Sequence, residues 1–525
     1  MKKEQWKEKF SDAMNDLQDE YVQESAAEES QKTAAHKRKT TVAGLMLGLA
    51  AVAAVVIGLL FGTDVIRREK ARETVPAFTQ AENPASEAAR EETEIPVITV
   101  ASPESAVPVV CLVSPEYPET VQIASAEDFS NQGLSEKVWE EESARREYAK
   151  ALEGSGTEFY RETISRMVGD SESVNPLCSP ANLYLSLALL SECGSGETRA
   201  QILSALGLPD QGSAAKNAQN LVLANYVDNG LIKSHFSDSL WLNSGMYYRE
   251  NTLERLRDQY FASVFQGTMG DPAYDQALQD WVNAETGGFL RNQVSGLEMD
   301  PSGALELLST LYLKAMWTTP FSPDRTQDGV FHGTHGDAAA SFMHSDEDRS
   351  YYYAEHFGAI SLSLGNEMNM WLLLPDEGVD VRALASDEEA MDLLLSANRE
   401  REEHWDEKRA YVTVHLALPK FDISADNELK PTMQAMGITD AFLMDQADFS
   451  PLCLSEDPVW LSDARNGIRI AIDEEGLTAA SYIDMMLAGA APVTDEVDFS
   501  LDRPFMYCIT GNGGAPLFAG IVEQF

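Results

Sequence analysis

Apolar and polar positions divide this chain into stretches of different period. In residues 1–30, Trp6, Phe10, Met14, Leu17 and Tyr21 recur at helical steps and form one stripe of an amphipathic helix. The stripe could dock a partner, self-associate or rest solvated near a surface. Residues 42–61, VAGLMLGLAAVAAVVIGLLF, carry no charge. About twenty helical residues span roughly 30 Å, the hydrocarbon thickness of a bilayer. The pattern therefore predicts a transmembrane helix over 41–62, too long for the core of a signal peptide, with a charged segment over 1–40 before it. Residues 63–134 are rich in Pro, Glu and Ala and show little periodicity. They read as a disordered linker, with one apolar patch, Val107–Val113, that could form a short strand. As a flexible coil such a linker would reach on the order of 45–50 Å.

Residues 135–525 carry the periods of a folded body. Helical patterns cover 135–152, 156–168, 180–192, 198–206 and 275–291. Strand-like patterns cover 308–317, 358–364, 369–374, 411–417, 468–472 and 505–509. Helices and strands that segregate in this way predict an α+β fold rather than alternating βαβ units. Ser179–Pro180 reads as a capping serine followed by proline at the first helical position. Residues 473–505 hold another pattern. Leu477, Ala479, Ser481, Ile483, Met485 and Leu487 alternate with Thr478, Ala480, Tyr482, Asp484, Met486 and Ala488. The first face has no charge and the second has one, which suits a strand with one buried face. Small residues with no proline before Pro492 would let such a segment enter the middle of a sheet; an ordinary core strand or a buried helix fits the same pattern.

Charge and composition narrow the chemistry. The chain of 525 residues has a formal net charge of −46. Residues 1–40 are nearly balanced, so the excess lies beyond the uncharged run. Such a field repels nucleic acid and anionic headgroups and argues against a heparin-type basic site. His36, Lys37, Arg38 and Lys39 abut the apolar run, whereas Arg67, Arg68, Lys70 and Arg72 are set back among acids. The positive counts on the two sides are close to a tie, and the nearer cluster gives only a weak bias toward the N-terminus inside and the large body outside. Gly44 and Gly48 have GxxxG spacing, so weak self-association could run through this helix or through the N-terminal stripe. Cys111, Cys178, Cys193, Cys453 and Cys508 show neither a disulfide framework nor metal spacing; Cys178, Cys193 and Cys508 read as small core residues. His332 and His335 sit in a Gly/Thr-rich turn without a third ligand, so no metal is expected there. A glycine-rich phosphate loop, H-E-x-x-H and G-x-S-x-G are all absent from the sequence, so neither an enzyme nor a cofactor is expected.

A set of short motifs then falls into one order. Asn175 to Leu183 reads N-P-L-C-S-P-A-N-L. Gly196, Thr198, Gln201, Ile202 and Leu206 follow, then Trp281, Val282, Thr286 and Gly288. L-Y-L-K-A-M-W spans 311–317, with Phe321 and Phe331 beyond it. L-P-K-F (418–421), A-D-F-S (447–450), Glu474–Glu475–Gly476, the Phe499 and D-R-P-F (502–505) segment and L-F-x-G-x-V (517–522) complete the series. In identity, order and spacing these motifs resemble those of the serpin family across 135–525.

The resemblance implies a serpin-like α+β domain with large mixed sheets and an exposed reactive-centre loop. It implies a hinge over Glu474, Glu475, Gly476, Leu477, Thr478, Ala479 and Ala480. Counting forward from Gly476 and back from Phe499, it places the reactive bond at Ala490–Ala491. It implies a suicide-type inhibitor, cleaved by an elastase-like or subtilisin-like serine protease, whose loop then inserts into the central sheet. A non-inhibitory binding or signalling scaffold tethered to the membrane is the alternative. The chain departs from the family at the gate under that sheet: Asn182 stands where serine is usual, Ser309 where asparagine is usual and Asn466 where histidine is usual. With Ser179 they form the expected sheet gate, and the exchange of asparagine and serine suggests a hydrogen-bond network rebuilt from different members.

Overall fold

The structure is a computed structural model that describes residues 109–123, 132–396, 405, 407–455, 458–462, 464–477 and 495–525. The N-terminal stripe, the uncharged run over 41–62 and most of the linker lie outside the described residues. So do Thr478, Ala479, Ala480, Ala490 and Ala491. Among the described residues no helix is long and apolar enough to cross a membrane.

Two sheets organise the body. The first runs in the order β1 (Val110–Val113), β3 (Ala262–Gly267), β2 (Lys233–Asn243), β4 (Leu305–Met316), β12 (Gly476–Leu477), β11 (Ala464–Ile472) and β10 (Phe421–Glu428). The second runs β13 (Glu496–Ser500), β9 (Arg409–Pro419), β6 (Gly336–Tyr353), β7 (Phe357–Ser363), β8 (Asn369–Pro375), β14 (Phe505–Thr510), β15 (Pro516–Val522) and the short strand Leu177–Cys178. On its margin β5 (Gln327–Gly333) pairs with β6. The helices α1 (Gln132–Lys150), α2 (Thr157–Ile164), α3 (Pro180–Cys193), α4 (Gly196–Ala205), α5 (Gln211–Asn225), α6 (Glu250–Tyr260), α7 (Pro272–Glu285) and α8 (Glu388–Leu395) pack around these sheets. Mixed sheets with helices outside them make the α+β class.

Every residue of α3 is buried, as expected of a helix apolar on all sides. It touches β4, β15, α5 and α6 and so links the two sheets. Its start differs from the sequence expectation. Ser179 is extended and precedes Pro180, but its hydroxyl does not cap the helix; Oγ donates instead to the Leu517 carbonyl of β15 at 2.6 Å. A carbonyl that needs a donor across the core has taken the hydroxyl from the helix end. The pattern expected over 275–291 also breaks. Helix α7 stops at Glu285, and Gly287 and Gly288 follow with φ of 58° and 76°, a left-handed step that glycine takes without strain. Cys178, Cys193 and Cys508 are fully buried, and burial pushes the Cys178 and Cys193 thiols up.

The linker boundary is corrected by the structure. Residues 109–123 are a packed strap on the body. Strand β1 pairs antiparallel with β3 and extends the first sheet. Tyr117 then stacks on Tyr226 and Phe261 at 4.9 and 5.3 Å and meets His235 edge-on at 4.3 Å. Its hydroxyl donates to the Phe236 carbonyl at 2.8 Å. The Ile123 amide donates to Asn229 O at 2.7 Å, and the side chain is buried. Beyond the apolar patch Val107–Val113, composition gives no sign of this segment, because its order comes from β3, far along the chain. Tyr117→Ala should therefore lower stability by about 2–3 kcal/mol through the lost aromatic packing. Denaturant unfolding of the two proteins checks this, and equal midpoints would show that the strap is not integral to the body.

Candidate functional site

The middle of the first sheet is incompletely paired. Strands β4 and β11 run parallel and meet directly only at Leu307–Ala464 and Leu308–Arg465. At the other end β12 enters between them, antiparallel to both, with Gly476 opposite Met316 and Leu477 opposite Ala315 and Ile472. Between these ends, no ladder joins Ser309–Lys314 to Asn466–Ala471 among the described residues. The result is a seam with a clasp at each end.

The first clasp is the turn Asp473–Gly476, at the start of the stretch expected to form the hinge. Asp473 Oδ1 accepts from the amides of Glu475 and Gly476 at 2.9 and 3.3 Å. Trp317 holds the turn twice, through its amide to Glu475 O at 3.1 Å and its indole Nε1 to Asp473 O at 2.9 Å. Glu474 points inward, where Thr326 Oγ1 and Lys420 Nζ each donate to its carboxylate at 2.7 Å. Burial alone would raise this carboxyl; Lys420 and Thr326 outweigh it and hold the group below the ordinary value. Gly476 has φ of 145°, and a Cβ there would lie 2.3 Å from Ala315 O. Only glycine fits against the strand at that point. Asp473, Thr326, Lys420 and Trp317 were not assigned to the site from sequence. Lys420 and Trp317 did lie within recognised motifs, next to the phenylalanine and the apolar strand that drew attention.

The second clasp lies under the strands. Ser309 Oγ donates to Asn182 Oδ1 at 2.8 Å, and Asn466 Nδ2 donates to the Ser309 carbonyl at 3.3 Å. Asn182, Ser309 and Asn466, from α3, β4 and β11, are thus brought together. Ser179 belongs elsewhere, on β15. The sequence reading missed Asp238. It sits directly opposite Ser309 in the β2–β4 ladder and is 2% exposed. Its Oδ1 accepts from Ser186 Oγ at 3.3 Å, and Ser186 Oγ also lies 3.0 Å from Asn182 O. Asp238 Oδ2 and Asn182 Nδ2 are buried and have no partner among the described residues.

Asp238 is therefore a buried acid beside hydroxyls, with no basic side chain paired to it among the described residues. Desolvation pushes its pKa up to about 7, against the smaller opposing effect of Ser309 and Ser186. An acid whose folded pKa is raised binds its proton more tightly in the folded state. The stability it contributes is full below about pH 4, the ordinary value, and is lost as pH rises toward about 7. Asp238→Asn should remove that loss and be the more stable protein above neutrality, by on the order of 1–3 kcal/mol. Urea midpoints of both proteins near pH 5 and near pH 8 test it. An equal difference at the two pH values would show that Asp238 does not titrate in this window.

Comparison with known proteins fits this geometry. The chain is 26% identical over 376 residues to a serpin-like protein of Thermococcus kodakarensis, covering 69% of this chain and 83% of that protein. It is 25% identical over 387 residues to plasminogen activator inhibitor 1 of Sus scrofa, covering 70% and 91%. Among solved structures, the thermophilic serpin tengpin in its native state superposes with a TM-score of 0.61 at 23% identity, over 70% of this chain and 93% of that one. Mouse protein-Z dependent protease inhibitor gives a TM-score of 0.61 at 18% identity, over 73% and 99%. At these identities the structural matches speak for the fold. The family described as serpin (serine protease inhibitor) matches residues 155–524, well over half of the sequence, and the chain belongs to the serpin family.

Proposed function

We propose that this chain is a suicide-type inhibitor of serine proteases, tethered to a membrane through residues 41–62 with its large body on the extracytoplasmic side. Members of the family are mostly protease inhibitors rather than catalysts. The observation that carries the reading is the register of β12. Gly476 and Leu477 already form a strand between β4 and β11. Continuing that register after cleavage would set Ala479, Ser481, Ile483, Met485 and Leu487 opposite Leu313, Leu311, Ser309, Leu307 and Leu305. Leu313, Leu307 and Leu305 are buried, as are Ile470 and Ile468 on the β11 side. The uncharged face of the loop would thus meet the core. Burying each large side chain contributes roughly 1.5–3 kcal/mol, and the new backbone ladders add to that.

The same register puts Asp484 on the opposite face, between Leu308 and Arg465, where its charge would meet a guanidinium. Insertion beyond Tyr482 must also separate the Leu307–Ala464 and Leu308–Arg465 pairs and the Asn466–Ser309 bond. In this mechanism the protease attacks the Ala490 carbonyl, the acyl-enzyme forms, and insertion distorts the tethered protease before deacylation. Loop insertion in serpins is an established switching class.

Alanine at 490 selects the target class. A trypsin-like pocket would keep an unpaired acid, and a chymotrypsin-like pocket would stay partly empty. A shallow elastase-like pocket loses neither, and Leu487 suits the apolar subsites of subtilisin-like enzymes. The full chain mixed with an elastase-like protease should give an SDS-stable complex and a fragment beginning at Ala491, read by mass. Ala490→Arg should redirect inhibition to trypsin-like enzymes. Leu477→Arg should leave cleavage intact and abolish the complex, because an unpaired charge would be buried. Clean cleavage of the parent chain without a complex would sink the inhibitor reading and favour the tethered scaffold.

A further inference from the structure

We propose that Asp238 makes the opening of the first sheet depend on pH, so that a strand enters between β4 and β11 slowly in acid and faster above neutrality. This rests on the loop insertion proposed above and names what regulates it. Asn182 offers two acceptors under the seam, its carbonyl O at 3.0 Å from Ser186 Oγ and its Oδ1 at 2.8 Å from Ser309 Oγ. The Asp238 carboxyl competes for the same two hydroxyls. Its Oδ1 lies 3.3 Å from Ser186 Oγ, and Ser309 is also a hydrogen-bond partner of the carboxyl. Each hydroxyl has one proton to give. While Asp238 is neutral it brings a third: its O–H donates to Ser186 Oγ, Ser186 donates to Asn182 O, and Ser309 donates to Asn182 Oδ1. Once ionised, Asp238 only accepts, and two protons face three acceptors. A carboxylate is the stronger acceptor. Its Oδ2 is buried with no partner among the described residues, and Ser309 stands directly opposite in the ladder. Ser309 therefore turns to Asp238 and leaves Asn182.

The exchange changes which elements are joined. The Ser309–Asn182 bond ties β4 to the buried helix α3. That helix is fixed in turn by its packing on β15, α5 and α6, so β4 must slide over it to part from β11. A Ser309–Asp238 bond instead joins β4 to β2, its partner along the whole ladder from Lys233 to Leu242, and those two strands move as one. Ionisation thus frees the sheet from the helix without loosening β2 from β4.

The groups around Asp238 leave it as the one that titrates near neutrality on this face, among the described residues. Burial pushes it up to about 7. Its ladder neighbours are Ser309 on β4 and Ala262 on β3. Helix α3 presents Ser186 and Asn182, and Glu192 further along it is paired with Arg255. Helix α5 carries one titratable side chain, Lys216, which is exposed. From the strap, the Tyr117 phenol is pushed up by burial, Glu285 and Asp238, and stays protonated. His235 and Ser237 lie on the other face of β2, with Glu285 against both. Burial holds His235 down at about 4 and therefore neutral.

The test is the rate at which a rhodamine-labelled peptide with the sequence of residues 478–490, blocked at its other end, anneals into the full chain in lipid nanodiscs. Anisotropy follows it from about pH 5.5 to about pH 8.5, where the one acid of the peptide, Asp484, stays ionised. No protease is present, so the pH dependence of an enzyme does not enter. The rate is expected to rise roughly threefold to tenfold, the effect of one hydrogen bond on a barrier, with a midpoint near 7. Asp238→Asn, whose amide donates at every pH, should stay slow throughout. Asn182→Ala, which removes the competing Oδ1, should be fast throughout. Thermal unfolding confirms that each variant is folded. A pH-independent rate in the parent chain, or a folded variant of either kind that keeps the parent's pH profile, would overturn the pH dependence and leave insertion standing. No annealing at any pH would overturn it together with the inhibitor reading.

Discussion

The seam between β4 and β11 is the constraint on which the rest of the molecule depends. A central sheet ordinarily satisfies its backbone groups by pairing every neighbour. Here two parallel strands touch directly at Leu307–Ala464 and Leu308–Arg465, and a two-residue antiparallel strand separates them at the far end. That arrangement holds only because other groups fix both ends. Above, Trp317, Lys420 and Thr326 bind the turn Asp473–Gly476. Below, Asn182, Ser309 and Asn466 join a buried helix to both strands.

The lower clasp is polar in a part of the fold where apolar packing would be more stable. Asp238 and Asn182 each bury an atom without a partner among the described residues, and such groups are destabilising. A core of leucine at these positions would tie the strands more firmly. The polar cluster lies directly under the incomplete seam, since Ser309 and Asn466 belong to its two strands.

Much of this was legible in the sequence, and the limits have physical causes. Helix α3 and strands β4, β8 and β14 were readable because their apolar runs are continuous and bounded. Strand β2 was not, since KSHFSDSLW reads as polar although most of it is buried. Strand β6, eighteen residues with a charged middle, gave no strand pattern because pairing along β9 rather than apolar burial defines it. The turn at Glu474–Gly476 and the positions Asn182, Ser309 and Asn466 were picked out through motif spacing. Asp238 was invisible, because an acid in a strand reads as solvated until its ladder partner is known. The strap 109–123 was legible only in its apolar patch, Val107–Val113; beyond that, proline and glutamate suggest disorder, while three aromatic contacts at Tyr117 and pairing with β3 impose order.

That strap also gives the body a mechanical handle. The chain upstream is covalently joined at Val109, so any pull from that side arrives first at β1, an edge strand of four residues. Its ladder to β3 is short and interrupted by a shift between Cys111 and Val113, so few bonds resist such a pull. Tension would peel β1, lift Tyr117 from its rings and unload one flank of the sheet that carries the seam at its centre. Force along the backbone and the parting of β4 from β11 therefore act on one elastic element, and the stiffness of that sheet sets how strongly the two are linked.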